Sequence, residues 1–297
     1  MNIRKVVIPV AGWGTRSLPA SKNIPKEMLP IYNKPVVQYV VEEAIKASIH
    51  NVVFITNRDK SAIEDHFDHN LLLESVLERA GKEDKLKIIR DVADMVSVIS
   101  VRQKQQLGLG HAVLCAKEIV EHDDAFAVSV GDDLMFGKNT GLSKLKLMVE
   151  KTGMPCIGVM EVPHNQVDRY GIVAGEEQGD GVWRITKMVE KPAKNKAPSN
   201  LAIIGRYVLT PDIFKFLENA KPGHGGEIQL TDALFRLAKE RGMLAVRMGG
   251  VRFDAGDWVQ YLTANIHFAL HDKAIRQQLF ESLEQMIAEY KKITDIR

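Results

Sequence analysis

The feature that most constrains this chain is an apolar run, Val6-Val7-Ile8-Pro9-Val10, that breaks directly into AGWGTRSLPASKNIPKEMLP over residues 11–30. An apolar run without alternation describes a strand covered on both faces, as in a parallel sheet clothed by helices. The segment behind it cannot continue as a regular element, because glycines and prolines punctuate it throughout. Gly12 and Gly14 lack Cβ atoms, so the backbone can turn tightly and bring N–H groups against a phosphate oxygen. Arg16 adds a planar fork of donors, and Lys26 a compact positive charge. A glycine-bearing loop with two cations at the carboxyl end of a first strand is the expected place for a nucleoside triphosphate. It is not a P-loop, since no GKS or GKT follows the glycines, and the absence of GxGxxG argues against a dinucleotide fingerprint.

The pattern beyond the loop is that of a layered α/β chain. Residues 5–10 read as the first strand and 34–48 as its helix, with Val37, Val40, Val41, Ala44 and Ile45 on one face. Further strands are expected at 51–56, 96–102, 125–130 and 155–162, alternating with helices at 59–67, 71–80, 111–120 and 142–151. The second half is less regular, with strands at 171–174, 182–189, 201–209 and 244–253 and helices at 211–219 and 228–241. Its acidic, glycine-rich insert at 175–181 suggests a surface hairpin. From 257 onward the chain reads as helix. There Ile275, Leu279, Leu283, Met286, Tyr290 and Ile293 form one apolar stripe, to be buried on the body of the chain or against another subunit.

Composition narrows the function classes. A chain of 297 residues can bury a substantial core. Its formal net charge of +2 offers no bulk field for nucleic acid or an anionic membrane, so anion binding must be local. No apolar run approaches the ~20 residues that span a bilayer, and no signal-peptide pattern opens the chain, so the cytoplasm is the expected compartment. Cys115 and Cys156 lie in apolar stretches and are expected to behave as small buried hydrophobes. The histidines show neither HExxH nor a Cys/His ligand spacing, so zinc is not expected.

Two strand ends carry acids: VGDD, with Asp132 and Asp133, and FDAG, with Asp254. Read alone, each is a turn or a cap. Together, facing one phosphate loop, they suit Mg²⁺, a hard cation that takes one or two carboxylates and shares phosphate oxygens.

The span 12–30 resembles the signature of sugar-nucleotide pyrophosphorylases, GxGTRxxPxxxxxPKxxLP. With KEMLP, Lys34-Pro35 and Gln38-Tyr39, it most resembles the bacterial UTP–glucose-1-phosphate uridylyltransferases. The likeness extends from Val6 to about Asn265 and includes the blocks SNLAIIGRY and GEIQLTDAL. It implies a Rossmann-like, mixed but mostly parallel central sheet flanked by helices, of the nucleotide-diphospho-sugar transferase type, with a C-terminal helical segment. Residues 1–257 would form the α/β domain, its nucleotide half at about 1–135 and its sugar-phosphate half at about 136–257, and 258–297 would serve packing or oligomerisation.

The resemblance also assigns roles. Arg16, Lys26 and Lys191 would be catalytic. Ala11, Gly12, Gly14, Thr15 and Glu27 would hold the nucleotide, and Gln103 and Gly108 its uracil, an amide being able both to donate and to accept at a pyrimidine edge. Gly171 of the YGxV motif would approach the hexose. In VEKP, Glu190 would accept from sugar hydroxyls and Lys191 would pair with the sugar phosphate. Mg²⁺ would sit on Asp132 and Asp254, with Asp133 the alternative to Asp132. Thr231 and Asp232 read locally as helix caps. UTP and glucose 1-phosphate are the implied substrates, UDP-glucose and pyrophosphate the products, and a homodimer or homotetramer the implied assembly. A dTTP-using thymidylyltransferase and a non-catalytic regulatory paralogue are the alternatives.

Overall fold

The run that opens the chain becomes β1 (Ile3–Pro9), with Val6, Val7 and Ile8 completely buried. The computed structural model describes residues 1–138 and 141–294. After the glycine loop come β2 (Pro30–Ile31), β3 (Lys34–Pro35), α1 (Val36–Lys46), β4 (Asn51–Thr56), α2 (Ser61–Asp65), α3 (Leu71–Arg79), α4 (Glu83–Ala93) and β5 (Ser97–Arg102). Next are α5 (Leu109–Leu114), α6 (Lys117–Val120), β6 (Ala125–Ser129), β7 (Asp133–Phe136), α7 (Gly141–Thr152) and β8 (Cys156–Glu161). The hairpin β9 (Gly171–Gly179) and β10 (Val182–Glu190) precedes β11 (Leu201–Leu209), α8 (Ile213–Glu218) and α9 (Leu230–Arg241). The chain closes with β12 (Leu244–Arg247), β13 (Val251–Asp254), α10 (Trp258–His271) and α11 (Arg276–Thr294).

Among the described residues nine strands form one sheet in the order β5-β4-β1-β6-β11-β8-β12-β10-β9. It is parallel from β5 to β6. β11 then runs antiparallel to both β6 and β8, giving the mixed sheet expected of the fold. Apolar cores lie on both faces, one with Val36, Val37 and Val40 of α1 and Leu142 of α7, the other with Val113, Phe214, Leu234 and Leu237 from α5, α8 and α9. A two-stranded ribbon, β7 with β13, stands apart and pairs Asp133 with Asp254.

One polar knot ties these layers together. Arg206 of β11 is 0 % exposed, and its Nε and Nη2 each donate to the Glu43 carboxylate of α1 at 2.7 Å. Its remaining donors reach the carbonyls of Gly205 and Asp133. Burial works against the Arg206 charge, yet Glu43 holds the guanidinium above its ordinary value. Such a pair is most costly when half of it is lost.

Several expected elements come out differently. The strand anticipated over 244–253 is broken at Gly249-Gly250, where Gly250 takes φ 79, and only β12 joins the main sheet. The helix anticipated over 111–120 divides into α5 and α6. The acidic insert does form a hairpin, but β9 runs through it to Gly179. The turn is Asp180-Gly181, both at positive φ as a two-residue hairpin loop requires. Among the described residues α4 buries only Leu86 of its own and is clasped to α3 by Arg90–Glu74 at 2.7 Å. Among the described residues α11 buries none of its own, and its main contact is α10. Ile275, Leu279 and Leu283 are half-buried while Met286, Tyr290 and Ile293 stay exposed, so only the first part of the C-terminal stripe is covered. Residues 295–297 of that expected segment lie outside the described residues.

Replacing Glu43 with alanine strands Arg206 in the interior. The expected loss is about 3–5 kcal/mol of folding stability, read as a lower denaturant midpoint; an unchanged midpoint contradicts this role.

Candidate active site

β4 lies on one side of β1 and β6 on the other, so the loops leaving β1 and β6 part company at a crevice. This is the switch point where open α/β sheets bind ligands. A cavity of about 590 Å³ opens there, and Gly12, Gly14, Thr15, Arg16, Lys26, Glu27, Gln103, Gly108 and Asp132 all line it. Gly14 sits at φ 66, and a Cβ there would stand 3.2 Å from the Lys26 side chain. The glycine therefore serves the close approach of loop and cation. Ala11 does not line the cavity: it is buried, and its carbonyl accepts from Asn57 Nδ2 at 2.8 Å. The Glu27 carboxylate is turned toward Lys60, 2.7 Å away. Burial raises its pKa, and the two neighbouring lysines offset only part of that rise.

Lys26 and Asp132 form an ion pair across the crevice. Burial disfavours both charges, but each partner more than compensates for the other. The lysine is held above its ordinary value and the aspartate below. The β7–β13 ribbon carries Asp254 to the same place. A Cβ built on Gly256 would lie 3.0 Å from Asp254 Oδ1, 3.4 Å from Asp132 Oδ2 and 3.8 Å from Arg16 Nη1, so the three groups surround one point. Burial, then repulsion from Asp132, pushes the Asp254 carboxyl up. A carboxyl whose proton affinity is raised by a neighbouring carboxylate marks a site whose charge a cation relieves. Among the described residues no group of three or more acids, histidines or cysteines is placed to hold a metal ion, so such a cation would complete its shell with water and phosphate oxygens.

At the far end of the cavity the Gln103 amide nitrogen meets the Gly108 carbonyl at 3.2 Å and His111 Nδ1 at 3.0 Å. The GEIQL segment lies directly against this loop: Ile228 N donates to Leu107 O at 2.7 Å and Gly110 N to Ile228 O at 2.9 Å. Cβ atoms on Gly108 or Gly110 would come within 2.7 Å of that segment, which explains both glycines.

A second cavity, of about 290 Å³, shares Arg16 and Asp132 with the first and adds Gly171, Glu190, Lys191, Arg252 and Asp254. Thr231 does not cap its helix; its hydroxyl donates to Glu190 Oε2 at 2.6 Å and fixes that carboxylate. Gly171 lies so close that a Cβ would be 3.0 Å from the same oxygen. Lys191 adopts φ 41, a left-handed conformation rare for a non-glycine residue, and its N–H donates to Tyr170 O at 3.0 Å. Strain of this kind persists where surroundings enforce it, commonly at ligand sites.

The two adjacent aspartates face opposite ways. Asp132 looks into the crevice, whereas Asp133 is buried, accepts from Gly205 N at 3.0 Å and lies 2.8 Å from Arg252 Nε. Arg252 in turn covers the Tyr170 ring at 5.6 Å, forming part of the second cavity's wall. The sequence reading missed Arg252. Its position two residues before Asp254 on a short strand, hence on the same face, was the available signal.

This pairing of a phosphate-sized cationic loop with two strand-end acids matches a known class. The sequence matches the family described as "Nucleotidyl transferase" over residues 5–270, and the chain belongs to that family. More particularly, it is 44% identical over 286 residues to a UTP–glucose-1-phosphate uridylyltransferase of Bacillus subtilis (strain 168), covering 96% of this chain and 98% of that one. A solved UDP-glucose pyrophosphorylase from Acinetobacter baumannii superposes with a TM-score of 0.88 at 42% identity, covering 98% of this chain and 100% of that one. A UTP-bound UGPase from the same organism gives a TM-score of 0.87 at 43% identity, covering 97% and 99%.

The opposed aspartates separate in experiment. Asp132→Asn should abolish the thermal stabilisation that a divalent cation with nucleotide confers. Asp133→Asn should retain it while lowering the ligand-free midpoint, by about 3–5 kcal/mol of stability for a broken buried pair. The reverse pattern would make Asp133 the ligand.

Proposed function

We propose that this protein transfers a uridylyl group from UTP to glucose 1-phosphate, giving UDP-glucose and pyrophosphate. The observation that carries this reading is the shared wall of the two cavities, in which Arg16 and Asp132 face both. A group passing between two bound substrates crosses such a wall. The B. subtilis relative carries the name of this activity, and the A. baumannii neighbour was solved with UTP.

The larger cavity takes UTP. Backbone N–H groups of the loop from Gly12 through Thr15, with Glu27 behind it, surround the phosphates, and Gln103 and Gly108 meet the uracil edge. The smaller cavity takes glucose 1-phosphate: Glu190, preset by Thr231, accepts from sugar hydroxyls, Gly171 admits the hexose ring, and Lys191 pairs with the phosphate. An oxygen of that phosphate bonds to the α-phosphorus of UTP as the bridge to the β-phosphate breaks, and the electron pair leaves with pyrophosphate. The nucleophile is already an anion, so no general base or covalent enzyme intermediate is needed. The difficulty is to bring two polyanions together, which calls for fixed positive charge more than proton transfer. Arg16 and Lys26 stabilise the leaving phosphates, Lys26 exchanging its carboxylate partner for phosphate. Magnesium, for which Asp132 and Asp254 are the donors, supplies further neutralisation of the α-phosphate when bound.

Residues up to about 135 form the nucleotide half and 136–257 the sugar-phosphate half. The exposed stripe of α11 then serves contact with a second copy, in a homodimer or homotetramer. Among the described residues no helix is long and apolar enough to cross a membrane, and we place the enzyme in the cytoplasm.

A pyrophosphate-release assay crossing UTP, dTTP, ATP and GTP with several sugar 1-phosphates tests the reading. UTP with glucose 1-phosphate should dominate; preference for dTTP would make the enzyme a thymidylyltransferase, and no turnover would make it a regulatory paralogue. Lys191→Ala should raise KM for glucose 1-phosphate far more than KM for UTP. Arg16→Ala should lower kcat by about 10²–10³-fold, as for loss of one preorganised electrostatic contact.

A further inference from the structure

Trp13 stands between the two glycines of the phosphate loop and is 61 % exposed. The exposure is not a matter of slack chain. On one side of it the Ala11 carbonyl is held by Asn57 Nδ2 at 2.8 Å, and on the other the Gly14 carbonyl accepts from Ser21 Oγ at 2.7 Å and Ser17 N at 2.9 Å. The other two tryptophans are engaged: Trp183 is buried with Arg247 5.1 Å above its ring, and Trp258 meets Tyr261 edge-on and donates to the Arg16 carbonyl. Trp13 instead lines the nucleotide cavity together with Gln103 and Gln106, and with the same two glutamines it walls an adjoining cavity of about 360 Å³. A large aromatic side chain anchored at the rim of a cavity, with its ring left to solvent, has area to bury and a π-face to offer.

We propose that Trp13 stacks on the pyrimidine base of the bound nucleotide, an affinity contact to the nucleoside as distinct from its phosphates. The inference rests on the uridylyl-transfer reading. It gives the base two kinds of recognition, with Gln103 meeting the hydrogen-bonding edge and Trp13 the face. Stacking tolerates any base, so Trp13 contributes affinity while the edge contacts choose the pyrimidine.

The test separates nucleoside from phosphate contacts by running the reaction in both directions with the parent enzyme, Trp13→Ala and Trp13→Phe. Loss of one base stack should raise KM for UTP and for UDP-glucose about tenfold. KM for pyrophosphate and for glucose 1-phosphate should stay unchanged, and phenylalanine should restore most of the loss. In the parent, UTP should also quench tryptophan fluorescence, and pyrophosphate should not; Trp13→Phe should lose that quench. The quench needs no alanine variant, so it holds even where Trp13→Ala fails to fold. An unchanged KM for UTP in Trp13→Ala overturns the stacking contact, as do equal rises for UTP and pyrophosphate, which would mean that the indole only shapes the loop. A parent enzyme that turns over UTP while Trp13→Ala is silent sinks this inference alone; a parent without uridylyl transfer sinks both.

Discussion

The structure depends on charges of both signs held around one point in a partly dehydrated crevice. Arg16 and Lys26 come from the loop after β1, Asp132 from the end of β6 and Asp254 from the end of β13, and no two of these segments are neighbours in sequence. Isolated charges in such a place would be driven to neutralise. Lys26 and Asp132 hold their charges because they meet, as their opposite pKa displacements record. The same closeness makes Asp254 the strained member, burdened by its neighbour's charge. The crevice thus suits a polyanion accompanied by a cation: phosphate would take the place of the carboxylate at the lysine, and a metal ion would relieve the two acids.

Keeping that arrangement in register falls to groups behind it. Glu43, Arg206, Asp133 and Arg252 run as a buried chain of alternating charge from α1 through β11 and β7 to β13. Its far end is two residues from Asp254. α10 braces the opposite side: Trp258 donates to the Arg16 carbonyl, Tyr261 to the Pro30 carbonyl at 2.7 Å, and Asn265 accepts from Tyr32 N at 2.8 Å. The phosphate loop is therefore held by hydrogen bonds to an element more than two hundred residues away. Preorganisation of this kind lets fixed charge act on a reacting phosphate without rearranging at the moment of transfer.

Within the parallel block, β1, β4 and β6 were legible in the sequence because they are largely buried and read as apolar runs, whereas the edge strand β5 is mostly exposed. Asn51–Thr56 and Leu201–Leu209 emerge with the bounds expected of them. Short elements were not legible. β7 and β13 are four residues each and paired only with one another, so neither carries a periodicity to detect. Yet that ribbon brings Asp254 to Asp132. The loop glycines, both cations and both acids could be named from local chemistry and resemblance. The opposed orientation of Asp132 and Asp133 could not, since it is decided by Arg252 and Gly205, which approach only in three dimensions. The C-terminal stripe shows the converse limit: periodicity revealed an apolar face on α11, but not that its end, at Met286, Tyr290 and Ile293, stays exposed.

The central claim is that Lys26 and Asp132 serve one nucleotide complex. A double-mutant cycle on kcat/KM, with Lys26→Ala, Asp132→Ala and the pair, measures this most directly. If the two residues act on the same bound triphosphate, the double variant should be little worse than the poorer single one. Losses that simply add in free energy would mean that the two side chains act independently, and the account of a shared site would be wrong.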